Sequence, residues 1–471
     1  MIQFVPPFRA PLSLLVILGY LAVTSDPASV ADEVPASRPH IIYMMADDLG
    51  WGDVGYHGSK IETPNIDRLA GRGTQLDQFY AQPVCSPTRA SLMTGRYPMR
   101  YGLQCGVVRP WADHGLPLDE QTLPEALREA GYVTAICGKW HLGHSSRDYL
   151  PTRRGFSHQY GHYNGALDYF KHDRDGGHDW HRNDKAIYEE GYTTDLIGRE
   201  AAQVLASHDK SKPLFLYVPF NAPHTPLQAP DETIAKYASM KVPQRRTYAA
   251  MVDRMDQAIG VIVSALEQHQ FPAERTLIVF CSDNGGIRQL GSNRELRDGK
   301  GSLYEGGVRV PAVAVWEGVL KPSAHVDEAL HIVDIYPTLL GLAGAEPNQD
   351  KPLDGHDAWP TIANNEPSPH DFILHNVTPF HGAIRVGDWK LIHNGHVGAN
   401  VTSASENETW ELFNIREDVS ETKDRKDQEP ATFQRLQRQL AKLSEEAAPA
   451  NIPPNQPPTG FQVPKVWGEF E

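Results

Sequence analysis

Four apolar runs of strand length alternate with helical patterns between residues 39 and 345, and polar or charged residues follow each run. The runs are His40–Ala46, Tyr132–Cys137, Pro213–Phe220 and Thr276–Cys281. Near-continuous apolar runs of this length are typical of parallel strands that are buried on both faces. Because the runs alternate with helical patterns, they predict a doubly wound α/β fold, in which helices cover both faces of one large sheet.

Acidic and amide side chains directly follow the first and fourth of these runs. Asp47 and Asp48 end the first, and Asp283 and Asn284 follow the last after one serine. Open α/β sheets place their sites at the carboxyl ends of strands. Three carboxylates and an amide are oxygen donors that suit a hard cation, and Ca²⁺ fits better than Zn²⁺ because no His or Cys belongs to the set. By itself, an Asp-Asp or Asp-Asn pair is as readily explained by a turn or a helix cap.

The stretch Cys85-Ser-Pro-Thr-Arg-Ala-Ser-Leu-Met-Thr-Gly95 combines a thiol, a proline and an arginine at fixed spacing. Pro87 suits the first turn of a helix, because its missing N–H costs nothing there. Cys85 would then lie just before a helix N-terminus, where free N–H groups favour an anionic group. Arg89 could add a bidentate donor for a tetrahedral oxyanion. The alternative is an ordinary buried cysteine beside a surface helix.

Cys-x-Pro-x-Arg followed by Leu-x-Thr-Gly-Arg resembles the signature of type I sulfatases, in which a maturation enzyme oxidises the cysteine to formylglycine. The motifs around Asp47 and Asp283, Ala-Asp-Asp-Leu-Gly-Trp-Gly-Asp and Ser-Asp-Asn-Gly-Gly, are similar to the calcium site of that family. The resemblance covers residues 39–445 and is nearest to the arylsulfatase B-like branch. It implies an alkaline-phosphatase-like fold with a large mixed, mostly parallel sheet sandwiched by helices. It also implies one Ca²⁺ held by Asp47, Asp48, Asp283, Asn284 and an oxygen of the modified Cys85.

Four further residues match positions that carry the chemistry in this family. In Gly138-Lys-Trp-His-Leu-Gly143, Lys139 matches a sulfate-binding lysine and His141 matches the histidine that contacts the aldehyde hydrate. His224 resembles the histidine beside the leaving oxygen, and Lys300 resembles the second sulfate-binding lysine. In the implied reaction a hydroxyl of the hydrate attacks sulfur, His224 protonates the departing alcohol, and His141 assists the release of sulfate. Without the resemblance, a surface lysine and a capped histidine would explain residues 139 and 141.

The resemblance predicts a sulfatase that hydrolyses sulfate monoesters of a carbohydrate, such as a 4-O-sulfate on a galactose or N-acetylgalactosamine ring. One alternative is a phosphomonoester or phosphonate hydrolase on the same scaffold, although zinc phosphatases need several more His and Asp ligands. Another is a non-catalytic binder of sulfated sugars, although the full row of catalytic residues disfavours it. The row comprises Cys85, Arg89, Lys139, His141, His224 and Lys300.

Residues 144–192 are rich in His, Asp, Gly, Tyr and Arg and show no sustained periodicity. A long segment of this kind in a compact domain is commonly functional, so we expect an irregular insertion over the site. Its aromatic and hydrogen-bonding side chains suit a carbohydrate. We therefore expect His158–His181 to form a wall of the pocket on the leaving-group side, opposite Lys139 and Lys300, and replacement of Asp168 or Trp180 to weaken turnover of a sulfated sugar. The alternative is a polar surface loop without this role.

The two ends of the chain differ in composition and in secondary-structure pattern from the predicted catalytic region, residues 32–367. Arg9, the apolar run 12–23 and Ser29-Val-Ala31 predict a signal peptide over residues 1–31, with a retained anchor as the alternative. Strand and helix patterns over residues 368–448 predict a small α+β subdomain. The patterns are strands at Ala383–Asn394 and Glu411–Ile415 and a helix at Ala431–Ala447. Residues 449–471, rich in Pro and Asn, predict an extended arm.

Net charge and cysteine content limit the partners and the compartment. The formal net charge of −15 argues against a nucleic-acid binder that depends on counterion release. No stretch after the predicted signal peptide is long and apolar enough to span a bilayer, so no stable membrane insertion is expected after cleavage. The four cysteines form no disulfide framework. Animal members of the family have many more, so we expect a bacterial protein exported to the periplasm or secreted.

Overall fold

The computed structural model describes residues 1–7, 38–378, 380–397 and 408–470. Residues 1–7 have no regular secondary structure, and the rest of the predicted signal peptide lies outside the described residues. Within the described part of the chain, no helix combines the length and apolar character needed to cross a bilayer.

Most strands lie in the first three quarters of the chain, and a separate group lies near the C-terminus. In chain order the strands are β1 (His40–Ala46), β2 (Thr74–Leu76), β3 (Phe79–Tyr80), β4 (Val133–Lys139), β5 (His158–His162), β6 (Asp173–Arg174), β7 (Gly177–His178), β8 (His181–Arg182), β9 (Lys185–Ala186), β10 (Leu214–Pro219), β11 (Thr276–Ser282), β12 (Ala312–Val315), β13 (Ala324–Val326), β14 (Leu330–His331), β15 (Ile373–Thr378), β16 (His381–Val386), β17 (Trp389–His393) and β18 (Trp410–Asn414).

Helices connect the strands along the chain. The α-helices are α1 (Pro64–Arg72), α2 (Cys85–Thr94), α3 (Leu123–Glu129), α4 (Thr193–Ser207), α5 (Asp231–Lys236), α6 (Pro243–Gln268), α7 (Glu305–Val308), α8 (Ile335–Leu342), α9 (Trp359–Asn364) and α10 (Pro430–Ser444). Short 3₁₀ helices occur at Trp51–Asp53, Gly55–His57, Pro98–Arg100, Arg147–Tyr149, Pro151–Arg153, Ala273–Arg275 and Ile332–Asp334.

The main sheet has the strand order β13-β2-β12-β11-β1-β10-β4-β5-β8-β9. Its five central strands, from β11 to β5, are parallel, whereas β12, β8 and β9 add antiparallel pairs. Met45 of β1 is in register with Pro219 of β10 and Cys281 of β11, so these strands end at the same edge. The prediction of a large mixed, mostly parallel sheet sandwiched by helices is confirmed.

The alternating side chains of β1 divide the hydrophobic core into two layers. Ile41, Tyr43 and Met45 belong to a cluster that α2, α3 and α8 cover. Ile42 and Met44 belong to a second cluster on the other face, which α1, α4 and α6 cover. Both faces of β1 are therefore buried, as the continuous apolar run in the sequence requires.

The C-terminal region contains the predicted small α+β subdomain. Strands β15 to β18 form an antiparallel sheet, and Leu436 and Leu440 of α10 pack against it. The predicted single strand Ala383–Asn394 is wrong, because the structure contains the hairpin β16–β17 there. Gly387 makes the turn with φ of +57°, a conformation that glycine adopts without steric cost.

The segment 144–192 is more regular than its composition predicted. Strand β5 extends the main sheet in parallel with β4, and β8 and β9 form its edge. Four of the five residues of β5, from Gln159 to His162, are buried although most are polar. The expectation of an irregular insertion was therefore wrong, because buried polar side chains hid the strand pattern.

Candidate active site

The carboxyl ends of β1 and β11 bring four oxygen-bearing side chains together. Asp47, Asp48, Asp283 and Asn284 are all fully buried. The backbone N–H of Asp48 donates to Asp283 Oδ1 at 3.2 Å, and Asn284 Nδ2 donates to Asp48 Oδ1 at 2.8 Å. Asp48 has φ of +67°, a left-handed conformation that aspartate tolerates better than most residues. Two strand ends more than 230 residues apart in sequence thus form one cluster.

Three cations neutralise the three carboxylates of this cluster. Lys139, the last residue of β4, donates from Nζ to Asp47 Oδ2, and Lys300 Nζ lies 2.6 Å from Asp48 Oδ1. Arg89 of α2 is the third cation, and its Nη2 lies 2.8 Å from Asp283 Oδ2. Buried charges are tolerated when they are paired and hydrogen-bonded. We call these six side chains the charge cluster, which is formally neutral.

The pairing sets the protonation of the carboxylates. Burial raises the pKa of Asp47 and Asp48, but the charges of Lys139 and Lys300, respectively, contribute to a net lowering. Burial and the neighbouring Asp47 raise the pKa of Asp283. The two carboxylates that follow β1 are thus held as anions next to their lysines.

Cys85 is the first residue of α2 and lies beside the charge cluster. The prediction put it just before the helix, but the structure places Val84 at the cap position. Cys85 Sγ lies 3.6 Å from Asp47 Oδ1 and 3.5 Å from Lys300 Nζ. Burial raises the pKa of this thiol to about 12. An unmodified Cys85 is therefore protonated at neutral pH and is a poor nucleophile.

Two histidines lie at the same edge of the sheet, and each has one ring nitrogen in contact with a carbonyl. His141 Nε2 donates to Val108 O at 3.0 Å, and its buried Nδ1 has no hydrogen-bond partner among the described residues. His224 Nδ1 donates to Thr225 O at 2.6 Å, and its Nε2 lies 3.7 Å from Asp48 Oδ2. Because a carbonyl only accepts, Nδ1 of His224 carries the hydrogen in the neutral ring.

The environment favours the neutral form of both rings. Burial, and then the charge of Lys139, lower the pKa of His141. Burial, and then the charge of Lys300, lower the pKa of His224. Each neutral ring therefore has one nitrogen without a hydrogen, and a proton that this nitrogen accepts during a reaction is released readily.

The donor set fits an oxygen-seeking cation. Ligand atoms of three predicted ligands, Asp47, Asp48 and Cys85, lie within 4.8 Å of one another and of a ring nitrogen of His224, and Asp283 is not in this group. Oδ1 of Asn284 is buried and has no hydrogen-bond partner among the described residues. A buried acceptor without a donor is uncommon and requires an explanation, and a cation coordinated by carboxylate and amide oxygens provides one.

A pocket of about 260 Å³ opens above Cys85. His141, His224 and Lys300 line it, whereas Arg89 and Lys139 are fully buried and do not. The other lining residues are Val84, Gly106, Val107, Val108, Arg109, Pro110, Gly165, Ala166, Arg174 and Val397. Sequence reasoning missed Arg109 and Arg174, which belong to no recognisable motif.

Asp168 and Trp180 do not line the pocket. Burial of Trp180 excludes its contact with a sugar, whereas an effect of Asp168 on turnover of a sulfated sugar stays a prediction. Trp180 is fully buried, its Nε1 donates to Glu189 Oε1 at 2.9 Å, and its ring stacks on His172. Asp168 accepts from backbone N–H groups in its own turn and from Gln228 Nε2. Both side chains stabilise the segment, which instead contributes Gly165, Ala166 and Arg174 to the pocket.

Comparisons with known proteins agree with this geometry. A family model described as Sulfatase matches residues 39–345. Arylsulfatase J of Mus musculus is 38% identical, with 96% of this chain and 83% of that protein covered. Human N-acetylgalactosamine-6-sulfatase is 34% identical over 69% of this chain and 66% of that protein. The crystal structure of Ps i-CgsB in complex with k-i-k-neocarrahexaose superposes with a TM-score of 0.79, at 36% identity, over 88% of this chain and 94% of that chain.

The family match, these identities and the fold point to the same conclusion. The predicted resemblance to formylglycine sulfatases with an alkaline-phosphatase-like fold is confirmed. The chain therefore belongs to the sulfatase family and is a sulfuric ester hydrolase.

Proposed function

We propose that this enzyme hydrolyses sulfate monoesters of a sulfated carbohydrate of the galactose or N-acetylgalactosamine type. The observation that carries the proposal is the charge cluster beside Cys85, at the base of a pocket that two histidines line. Two similar proteins support the sugar class: one is named for N-acetylgalactosamine, and the other was crystallised with neocarrahexaose. The 4-O-sulfate is the ester to test first, with the 6-O-sulfate beside it.

Cys85 is proposed to be the site of formylglycine, which a maturation enzyme would generate. The raised pKa of the buried thiol supports this assignment, because catalysis by a thiolate would need an anion that the site disfavours. Formylglycine in its hydrated form supplies a hydroxyl nucleophile that needs no ionised thiol.

One Ca²⁺ is proposed to bind Asp47, Asp48, Asp283 and Asn284, together with the modified side chain at position 85. The buried carboxylates support it, as does Asn284 Oδ1, for which the described part of the chain provides no hydrogen-bond donor. When bound, the ion acts as a Lewis acid toward a sulfate oxygen.

The remaining residues are proposed to neutralise charge and move a proton. Lys300 lines the pocket and can bind a non-bridging sulfate oxygen, whereas Arg89 and Lys139, held behind the pocket by their carboxylates, add positive charge at its base. His224 Nε2, which has no hydrogen in the neutral ring, can gain a proton beside Asp48 and pass it to the departing alcohol oxygen. Nδ1 of His141 has no hydrogen-bond partner among the described residues, and His141 lines the same pocket as Cys85, so this nitrogen can accept a proton there.

Export to the periplasm or the medium is proposed as the location. A polymeric sulfated carbohydrate does not cross a membrane, so an enzyme acting on it needs to be outside the cytoplasm. Cell fractionation with N-terminal sequencing of the mature protein would test this, and an intact N-terminus in the cytoplasmic fraction would contradict it.

Mass spectrometry combined with turnover tests the proposed function. Active protein should contain a peptide with formylglycine at position 85, and Cys85→Ser should lower kcat/KM for 4-nitrophenyl sulfate by at least about a thousandfold, because serine cannot form the hydrate. Cys105→Ser, which removes another buried cysteine, is the matched control and should retain turnover. Full activity of a protein that carries only the thiol would contradict the formylglycine assignment.

Wild-type protein with confirmed formylglycine also distinguishes a sulfatase from a phosphoester hydrolase and from a non-catalytic binder. Defined galactose-type oligosaccharides with 4-O- or 6-O-sulfate should lose sulfate at one ring position. Faster turnover of 4-nitrophenyl phosphate than of the sulfate would favour phosphoester chemistry. Binding of the oligosaccharides without turnover, in protein shown to contain formylglycine, would favour a non-catalytic binder.

A further inference from the structure

Two arginines line the pocket in addition to the cations of the charge cluster. Arg109 and Arg174 lie on the wall that also includes Cys85 and His141. Arg89, Lys139 and Lys300 already form ion pairs with buried carboxylates. The two further guanidinium groups are therefore not needed to balance the charge of the cluster.

Neither arginine has a buried acidic partner within the described residues. Arg109 Nη2 donates to Asn455 Oδ1 at 3.1 Å, and an amide leaves the guanidinium charge uncompensated. Arg174 Nε lies 3.2 Å from Asp175 Oδ2, in a pair of side chains that are 26% and 45% exposed. Exposed pairs of this kind contribute little stability. Both guanidinium groups thus have donors available for a ligand.

The two positive charges also act on each other. Burial, and then the charge of Arg174, lower the pKa of Arg109, so the two guanidinium groups lie close enough to interact. Two like charges at one pocket repel each other and raise the local positive potential, which favours the binding of an anion between them. This local excess of positive charge occurs in a chain whose formal net charge is −15.

The C-terminal arm, residues 449–470, fixes the segments that carry the two arginines. Trp111 Nε1, two residues after Arg109, donates to Pro454 O at 2.7 Å. Trp467 is 3% exposed, and its Nε1 donates to Arg174 O at 2.9 Å. The arm therefore holds both arginines by contacts outside the sulfatase motifs.

We propose that Arg109 and Arg174 form a second anion subsite. The subsite binds another anionic group of the same carbohydrate, either a second sulfate or a uronate carboxylate, near the ester that is cleaved. Guanidinium groups bind both oxyanions through paired N–H donors. Asn455 acts as a positioning residue for Arg109. The inference rests on the proposed function and narrows its substrate to a carbohydrate with at least two anionic groups.

Competition against 4-nitrophenyl sulfate hydrolysis tests the subsite. The competitors are one galactose-type disaccharide with a single sulfate, the same disaccharide with two sulfates, and a monosulfated disaccharide that contains a uronic acid. In the wild-type enzyme, one of the doubly anionic competitors should have an inhibition constant at least about tenfold lower than the singly anionic one. The doubly anionic competitor that inhibits more strongly identifies the second group.

Variants show whether the two arginines are responsible. The ratio to compare is the inhibition constant of the singly anionic competitor divided by that of the preferred doubly anionic one. Arg109→Gln and Arg174→Gln should each bring this ratio close to one. Arg153→Gln, at an exposed arginine outside the pocket, should retain the wild-type ratio. Asn455→Ala should lower the ratio in part, with an unchanged Tm, because only the orientation of Arg109 is lost.

The possible failures are distinguishable. A wild-type enzyme that hydrolyses 4-nitrophenyl sulfate but does not prefer a doubly anionic competitor would overturn the subsite alone. The same holds for a preference that both arginine variants retain. Absence of any sulfate turnover in protein with formylglycine would overturn the proposed function itself.

Discussion

The side-chain amide of Asn284 is uncharged, yet it lies among three buried carboxylates, and its two polar atoms have different surroundings. Nδ2 donates to Asp48 Oδ1 and to Gly285 O. Oδ1 is buried without a partner among the described residues. Leaving a buried acceptor unpaired costs about 1–3 kcal/mol, so a bound cation would be stabilised by this oxygen as well as by the carboxylates.

Asn284→Leu should therefore remove most of the stabilisation of the folded protein by Ca²⁺. Ca²⁺ at a hundred times its Kd adds about 2.7 kcal/mol to the free energy of unfolding. The measurement is Tm by calorimetry, with chelator and then with excess Ca²⁺. The wild-type Tm should rise by several degrees and that of the variant by much less, whereas Asn348→Leu, at an exposed position, should behave like the wild type. Full activity in protein shown by elemental analysis to be metal-free would contradict the metal site.

At the scale of single residues, the sequence predicted the motif residues and missed those that no motif contains. Asp47 and His141 follow strands and Lys139 ends one, at positions where α/β sheets carry their sites, and the structure brings them together. Arg109 lies in a loop, and its place in the pocket depends on contacts with the distant arm. No local pattern carries that information.

At the scale of elements, buried charge connects the C-terminal sheet to the catalytic region. Lys390 of β17 lies 2.8 Å from Glu305 Oε1 of α7 and 3.0 Å from Glu421 Oε1. All three side chains are buried. Removing one partner from a buried ion pair leaves an uncompensated charge, which costs far more than the intact pair contributes.

Lys390→Met should consequently destabilise the protein by about 3–5 kcal/mol, because two carboxylates lose their shared cation. Denaturant unfolding monitored by fluorescence measures the change. Lys423→Met, at an exposed lysine, is the control and should change stability by less than about 0.5 kcal/mol. Adding Glu421→Gln to Lys390→Met should recover part of the loss. A Lys390→Met protein as stable as the wild type would show that the ion pairs do not anchor the sheet.

Element prediction succeeded where apolar residues are continuous and failed where buried residues are polar. Strands β1, β10 and β11 follow from their apolar runs, which are buried on both faces. Strand β5 contains two histidines and a glutamine, so its pattern is typical of a surface loop. The same loop-like pattern led to the prediction that Trp180 acts on the sugar. Its ring instead stacks on His162 and His172 of that segment.

At the scale of the whole molecule, the order of strands in the sheet could not be predicted from local patterns. Strand β1 lies between β10 and β11, which follow it by more than 170 residues. The arm was predicted to be extended, but its contact with the pocket wall depends on the folded positions of Trp111 and Arg174. Contacts between segments that lie so far apart in sequence depend on how the complete chain packs.

The pH dependence of global stability should reflect the two carboxylates that share Lys390. Glu305 is held as an anion, because Lys390 and nearby arginines outweigh the effect of burial and lower its pKa. Burial, opposed by Lys390 and reinforced by Glu305, raises the pKa of Glu421 from 4.5 to about 7. Between pH 4.5 and about pH 7, Glu421 of the folded protein retains a proton that it has lost in the unfolded protein. The contribution of Glu421 to stability therefore falls as pH rises from about 4.5 to 7 and is constant above that range.

Glu421→Gln, which cannot lose a proton, should become more stable relative to the wild type across this range. The difference in unfolding free energy between variant and wild type should increase by about 1–3 kcal/mol from pH 5 to pH 8. Urea unfolding at several pH values, with the metal concentration held constant, measures it. Glu366→Gln, at an exposed glutamate, should give a difference that does not change with pH. A difference for Glu421→Gln that is also independent of pH would show that Glu421 is already ionised in the folded protein at pH 5, and that Lys390 neutralises both carboxylates together.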